Sequence, residues 1–394
     1  MKLITFIHKY NKTFFLLAIA MLIVSCVEEI PIESEGFEEA IVIEGTIANE
    51  LKQHEIKLSR VYAIDSTGPS ALSGADVRVI GNSEFVFQES EPGIYVSKDS
   101  FAATPGVDYE LNILVNGQEY RSQTAQLPGT SNIGQLDANR VNYQGEDGVA
   151  ITLSNQTSTG DANYYRYEFT ETFKFTSNMF KSTDVIIEDG LAKLVPKQKE
   201  EYTCYQTNNS QDIILANTNS LSEDSVNNLL INFINSDHPK ISNRYSLLVK
   251  QYVINREAYS YYQILEELSG SENIFSQSQP GYFEGNIENI NNPEEKVIGF
   301  FNVSSVSTKR IYFNYEDFYD PDGIRPKFVS DASCEVTFPT IEVLKKQLEN
   351  NGVRWYETPI PLPLNQERPV YVVPRRCVDC TVFGTNEKPE FWED

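Results

Sequence analysis

The chain has 394 residues, a formal net charge of -24 and a hydrophobic fraction of 40%. That length is enough for two or three cores, and that charge repels nucleic acid phosphates and anionic lipid headgroups, so nucleic acid is excluded as a partner. Tyr and Phe, 22 of each, accompany many Val and Ile, and β-branched and aromatic side chains favour pleated surfaces.

Met1 to Lys12 carries Lys2, Lys9 and Lys12 and no acid, Phe14 to Val24 is an apolar run of eleven residues, and Ile23-Val24-Ser25-Cys26 closes it. This order is that of a secretory signal, residues 1–25, with a lipoprotein cleavage box. Eleven residues are too few for a spanning helix, which needs about 20. Cys26 is the expected lipid attachment site, its thiol forming a thioether to diacylglycerol and holding the protein to the outer membrane. Loss of residues 1–25 removes three lysines and no acid, deepening the net charge from -24 to -27. The next stretch, residues 26–39, holds Glu28, Glu29, Glu33, Glu35, Glu38 and Glu39 without a basic residue and reads as an acidic tether. Glu28 and Glu29 also resemble a surface-export signal, so display at the cell surface is expected.

Residues 40–128 carry short strand signals: Ile41–Ile47, His54–Val61 with Ile56 and Leu58 on one face, Val77–Ile80, Glu84–Gln88, Ile94–Val96 and Val107–Val115. Asn116-Gly117 asks for positive φ at both positions and predicts a two-residue hairpin into Glu119–Thr124. The spacing predicts an immunoglobulin-like β-sandwich. Leu127-Pro128-Gly129 is the predicted boundary.

Residues 129–394 read as a larger β-rich domain with one or two packed helices, so the predicted fold class is mainly β. Val149–Leu153, Tyr165–Phe169 and Tyr245–Val253 alternate as strands do. Lys181–Ser225, rich in Asn, Ser, Thr and acids, predicts long loops or an insertion. A helix is predicted after Asn255, with Ala258, Tyr261, Ile264, Leu265 and Leu268 on one face and Gly270 at its end. A second is predicted over Thr340–Asn350, with Ile341, Leu344 and Leu348 in register. Both apolar stripes are expected to pack on the sheet.

With Cys26 assigned to lipid, Cys204, Cys334, Cys377 and Cys380 remain, an even number beyond the cytosol, where disulfides persist. Three connectivities satisfy them; the simplest joins Cys204 to Cys334 and Cys377 to Cys380. Cys377-Val378-Asp379-Cys380 beside Arg375 and Arg376 suggests redox chemistry, but Pro374 before it and a loop after it favour a structural clip of the C-terminal tail. Zinc lacks four ligands at suitable spacing, and Asp320-Pro321-Asp322-Gly323 reads as a surface turn. There is no Gly-x-Ser-x-Gly elbow, and only His54 and His238 lie beyond the signal; neither an enzyme nor a cofactor is expected.

Pro280-Gly281-Tyr282-Phe283-Glu284-Gly285-Asn286-Ile287, then Val297-Ile298-Gly299-Phe300-Phe301-Asn302-Val303-Ser304, then Arg376-Cys377-Val378-Asp379-Cys380 through Lys388-Pro389-Glu390-Phe391-Trp392 follow the Tyr-rich helix. In this order they resemble Bacteroidota lipoproteins of the domain-of-unknown-function family 4249. The resemblance implies an outer-membrane lipoprotein, often encoded beside TonB-dependent transporters, and brings no catalytic residues with it. The expected role is therefore that of an accessory or ligand-capturing partner of such a transporter, and the alternative is a free-standing adhesin or envelope scaffold.

Overall fold

The computed structural model describes residues 40–61, 70–155, 162–219, 225–269, 285–358, 367 and 369–393. Cys26, the acidic tether, Gly270 and residues 280–284 of the family motif lie outside them. In the first region the strands are β1 (Ile41–Ala48), β2 (Glu55–Arg60), β3 (Ser70–Ala71), β4 (Asp76–Ile80), β5 (Glu84–Glu91), β6 (Ile94–Ser97), β7 (Glu110–Val115) and β8 (Gln118–Ser122). There follow β9 (Ile133–Tyr143), β10 (Glu146–Asn155), β11 (Tyr164–Thr176), β12 (Thr183–Glu188), β13 (Leu191–Pro196), β14 (Thr203–Asn209), β15 (Ile214–Asn217), β16 (Leu229–Asn235) and β17 (Arg244–Ile254). Helix α1 (Arg256–Ser269), β18 (Ile287–Asn289), β19 (Val297–Asn314), α2 (Ile341–Glu349), β20 (Val353–Glu357) and β21 (Tyr371–Pro374) complete the order. The protein is mainly β.

Alternation explains the first region. Leu111, Ile113 and Val115 of β7 are buried in turn, and the chain then reverses at Asn116 (φ 52°) and Gly117 (φ 77°). Val115 and Gln118 pair across that turn, because two positive φ values give the backbone the twist that the flanking strands need.

One continuous ladder runs β14-β11-β17-β19-β1-β2-β6-β5-β4-β7-β8-β18. Its spine is β19, 18 residues long and about 60 Å from end to end at 3.3 Å per residue. Val297–Ser304 pairs in parallel with β1, and Ser305–Asn314 pairs antiparallel with β17. Residues 40–128 do not complete their own core: Ile287, Val297, Phe301 and Val303 pack into the cluster that holds Ile43, Ile56, Val77 and Leu111. The end of the ladder also comes back to its middle. Asn286, just before β18, donates from Nδ2 to Phe301 O and accepts from Phe301 N, both at 2.8 Å. A carboxamide there does the work of a strand residue. The approach is so close that a Cβ on Gly285 would stand 1.5 Å from Gly299 O, and one on Gly299 (φ +136°) would stand 1.8 Å from Ile43 O. Gly285 and Gly299 are thus there for backbone contact.

In the second region the core is aromatic, with Tyr165, Tyr167, Phe173, Phe175 and Tyr245 fully buried. Residues 181–225 differ from expectation, since β12 to β15 lie there. Asp189 (φ 51°) and Gly190 (φ 75°) turn β12 into β13, while β14 and β15 are recruited by β11. Asn255 caps α1 through Oδ1, which accepts from Ala258 N at 2.7 Å. Ala258, Tyr261, Tyr262 and Leu265 pack with Tyr252, Ile254 and Phe300 of the sheet. Ile264 does not join them; it is exposed, because the sheet covers a narrower arc than the predicted stripe. Leu344 anchors α2, with Ile341 and Leu348 beside it.

Candidate functional site

The four cysteines pair differently from the simplest prediction. Cys204 is bonded to Cys380 and Cys334 to Cys377, each pair with Cα atoms 5.8 Å apart. The cause is local. Arg375–Cys377 and Cys380–Val382 are successive 3-10 turns, which send Cys377 toward Val329 and Val373 and Cys380 into the core around Cys204 and Phe175. Each half of the Cys-x-x-Cys motif is bonded to a cysteine elsewhere in the chain, so the two do not form a pair of their own. The C-terminal tail is nevertheless clipped down, now to β14 and to the turn at Asp331–Ser333. Beyond the clip, Tyr205 and Thr385 exchange backbone bonds of 2.7 and 2.9 Å, and the buried Trp392 stands edge-on to Tyr205. Trp392 belongs to the core.

Between the two bonded cysteines, Asp379 turns toward charge. Its Oδ2 accepts from Arg375 Nε at 2.5 Å and Arg354 Nη2 at 2.8 Å, and its Oδ1 accepts from the Thr381 hydroxyl at 2.6 Å. Arg354 also spans both oxygens of Glu201 at 3.1 Å, and Lys197 reaches Glu201 at 2.8 Å. Burial pushes the Asp379 carboxyl up, but Thr381 and Arg375 more than offset it and hold it below the ordinary range. Glu201 behaves alike: burial raises it, and Arg354 and Lys197 bring it lower. This cluster is structural: both carboxylates are buried, and Lys197, Arg354 and Arg375 are spent on them inside the fold.

The arrangement with unspent binding capacity lies where β19 passes from β17 to β1. Arg166 and Glu168 are two apart on β11, and Lys250 and Tyr252 two apart on β17, so each pair shares a face. The register sets Arg166 opposite Tyr252 and Glu168 opposite Lys250. These four side chains form the floor of a 600 Å³ cavity whose walls come from β1, the β1–β2 connection, β2, α1 and Phe300. Arg166 is largely buried, its guanidinium held between the rings of Tyr252 and Tyr262 at 4.5 and 4.6 Å. Its Nη1 donates to Glu168 Oε1 at 2.5 Å, and the Tyr252 hydroxyl donates to Glu168 Oε2 at 2.8 Å. Glu50 Oε2 is shared by Lys52 Nζ at 2.6 Å and Lys250 Nζ at 3.5 Å. Burial and the neighbouring Lys52 push the Lys250 ammonium down. For Glu168, burial raises the carboxyl, and Arg166 and Tyr252 bring it below its usual value. His54, also at the wall, is buried with Nε2 2.9 Å from Phe101 O. The chemistry on offer is ion pairing and hydrogen bonding in a recess.

A larger cavity, 930 Å³, lies between the β12–β13 hairpin and α2. It is a groove over a small apolar cluster around Val185, Leu344 and Val353, and the charges at its edge include Arg354 and Glu201, which are already paired with each other. Among the described residues no three His, Cys, Asp or Glu side chains group as metal ligands would. Asp320–Gly323 is a turn, Gly323 N donating to Asp320 O at 3.0 Å.

Sequence reading recognised β11 and β17 as strands but did not single out Arg166, Glu168 or Lys250. The signal was there: charged residues on one face of strands whose other face is apolar. What it lacked was the register that brings them together.

No curated protein matches the chain. Among solved structures, the adhesin InvE of Yersinia pseudotuberculosis aligns at 10% identity over 84% of this chain and 72% of that one, with a TM-score of 0.15, too low to say anything about fold or function here. The model of the Domain of unknown function (DUF4249) matches residues 27–310, a span that holds every residue of the charged cavity and ends before Cys334, Cys377 and Cys380. The chain belongs to the DUF4249 family.

Proposed function

We propose that this protein is a non-enzymatic, lipid-anchored outer-membrane protein, exposed at the cell surface, that captures a ligand in the Arg166–Lys250 cavity and serves a TonB-dependent transporter in uptake. The observation that carries the reading is that cavity, where segments more than 100 residues apart in sequence bring charged and aromatic groups into one recess, as small-molecule sites do. Anchoring rests on the run from Lys2 to Cys26. The two disulfides support a compartment beyond the cytosol, where such bonds persist. The six glutamates between Cys26 and Ala40 support a spacer that lets the folded part reach a partner beside it.

Purification from mildly solubilised outer membranes tests the partnership. The expected result is near-stoichiometric recovery of a TonB-dependent transporter; recovery of the lipoprotein without one would overturn it and favour a free-standing adhesin or scaffold. Cys26→Ala is expected to release the protein from the membrane fraction. Retention of that variant in high salt would mean that lipid is not the anchor.

A further inference from the structure

We infer that the Arg166–Lys250 cavity takes a small ligand through an oxyanion, a carboxylate or a phosphate, seated between Lys52 and Lys250. The inference rests on the ligand-capturing role proposed above and names the chemistry of its ligand. In a chain of net charge -24, three cations, Lys52, Lys250 and Arg166, converge here on two carboxylates, Glu50 and Glu168. With Lys57, Glu44 and Glu55, which line the same cavity, four cations meet four carboxylates, so one positive charge is freed where Glu50 swings out, in a recess where water screens it less than at the open surface. The two lysines already hold an oxyanion: both reach the same oxygen of Glu50, at 2.6 and 3.5 Å. That carboxylate comes from the exposed β1–β2 connection beside Leu51, which is 77% exposed, and a ligand oxyanion can share or replace it. Arg166 adds a further donor, since its Nε is buried with no hydrogen-bond partner. Glu44 and the Glu55–Lys57 pair, at 3.2 Å, line the same cavity. They orient the ligand, because its negative end is repelled by Glu44 and must turn toward β11 and β17.

Isothermal titration of the purified full chain at low ionic strength, with citrate, inorganic phosphate and the neutral polyol sorbitol as probes, tests this. Citrate or phosphate is expected to bind and sorbitol not to; whichever oxyanion binds more tightly separates carboxylate from phosphate. Lys52→Gln and Lys250→Gln are each expected to weaken binding about tenfold, the loss of one charge-assisted hydrogen bond. Glu50→Gln, which removes the competing carboxylate, is expected to tighten it several-fold, a gain that damage to the fold would not produce. Lys345→Gln on α2 changes the net charge equally and is expected to leave binding unchanged. Absence of oxyanion binding, an equal loss in Lys345→Gln, or weaker binding in Glu50→Gln would overturn the inference. If oxyanions fail to bind while the transporter still co-purifies, only the ligand chemistry falls. If they bind and no transporter is recovered, only the partnership falls.

Discussion

The two regions of this protein solve the same problem by different means. Around Ile43, Val77 and Leu111, the chain brings back residues 285–304, far along the sequence, and holds them with backbone pairing, two glycines and one asparagine, without a cysteine. Around Tyr165 and Tyr245 it brings back residues 375–393 and holds them with two disulfides and a buried cluster of Arg354, Arg375, Glu201 and Asp379. The first closure is an extension of a ladder, which satisfies its own backbone groups and needs only that nothing stand between the strands. The second joins short 3-10 turns that offer little ladder, so covalent bonds and matched charges supply the hold. A returning segment that can pair as a strand needs little side-chain chemistry; one that cannot needs a great deal.

The largest effect is expected where the ladder closes. Gly299→Ala puts a Cβ 1.8 Å from Ile43 O at a φ of +136°, so β1 and β19 must part. We expect a loss of more than about 4 kcal/mol in urea unfolding; a loss below about 1 kcal/mol would show that the closure is loose. Next comes the clip. The Cys204–Cys380 bond spans 176 residues, and Cys204→Ser with Cys380→Ser is expected to cost about 4–5 kcal/mol. By hydrogen exchange, protection should fall further in β11 and β14 than in β4 and β7, and equal losses in the two regions would break the contrast.

The charge cluster is expected to matter less. Asp379→Asn leaves Arg354 and Arg375 with a weaker acceptor, at a cost of about 3 kcal/mol, read from the shift in urea midpoint. Because Asp379 and Glu201 sit below their ordinary values, their stabilisation is complete above the unfolded values near about pH 4 and is lost as pH falls through the lower folded ones. The variant should therefore show a shallower acid slope than the parent. The smallest effect is expected at Asn286→Ala, about 2 kcal/mol, which strips the partners from Phe301 N and O without a clash. A larger loss there than at Gly299→Ala would mean that the asparagine, not the glycine contact, closes the ladder.

Local signals were legible in proportion to how local their physics is. Asn116-Gly117 and the cap at Asn255 were read correctly, since each acts on residues within a few positions of itself. Asp189-Gly190 carried the same hairpin signal as Asn116-Gly117, but the polar composition around it made the segment read as a loop. The stripe on α1 packs on the sheet at Ala258, Tyr261 and Leu265 but not at Ile264, where the boundary of contact depends on what lies opposite. For the site, period two placed Arg166 with Glu168 and Lys250 with Tyr252; nothing in the sequence set one pair against the other.

The sequence by itself determined the mainly β class, the turn at Asn116-Gly117, the cap at Asn255, the excess of acid and the lipoprotein pattern around Cys26, because periodicity, composition and short motifs express interactions between near neighbours. Only the tertiary structure decided which cysteine meets which, why Gly285 and Gly299 cannot carry a side chain, and that Lys52 of one region faces Lys250 of the other. Those are contacts between segments apart in sequence, most of them by more than 100 residues, and the free energy that selects them comes from burying whole faces together, which no single stretch contains.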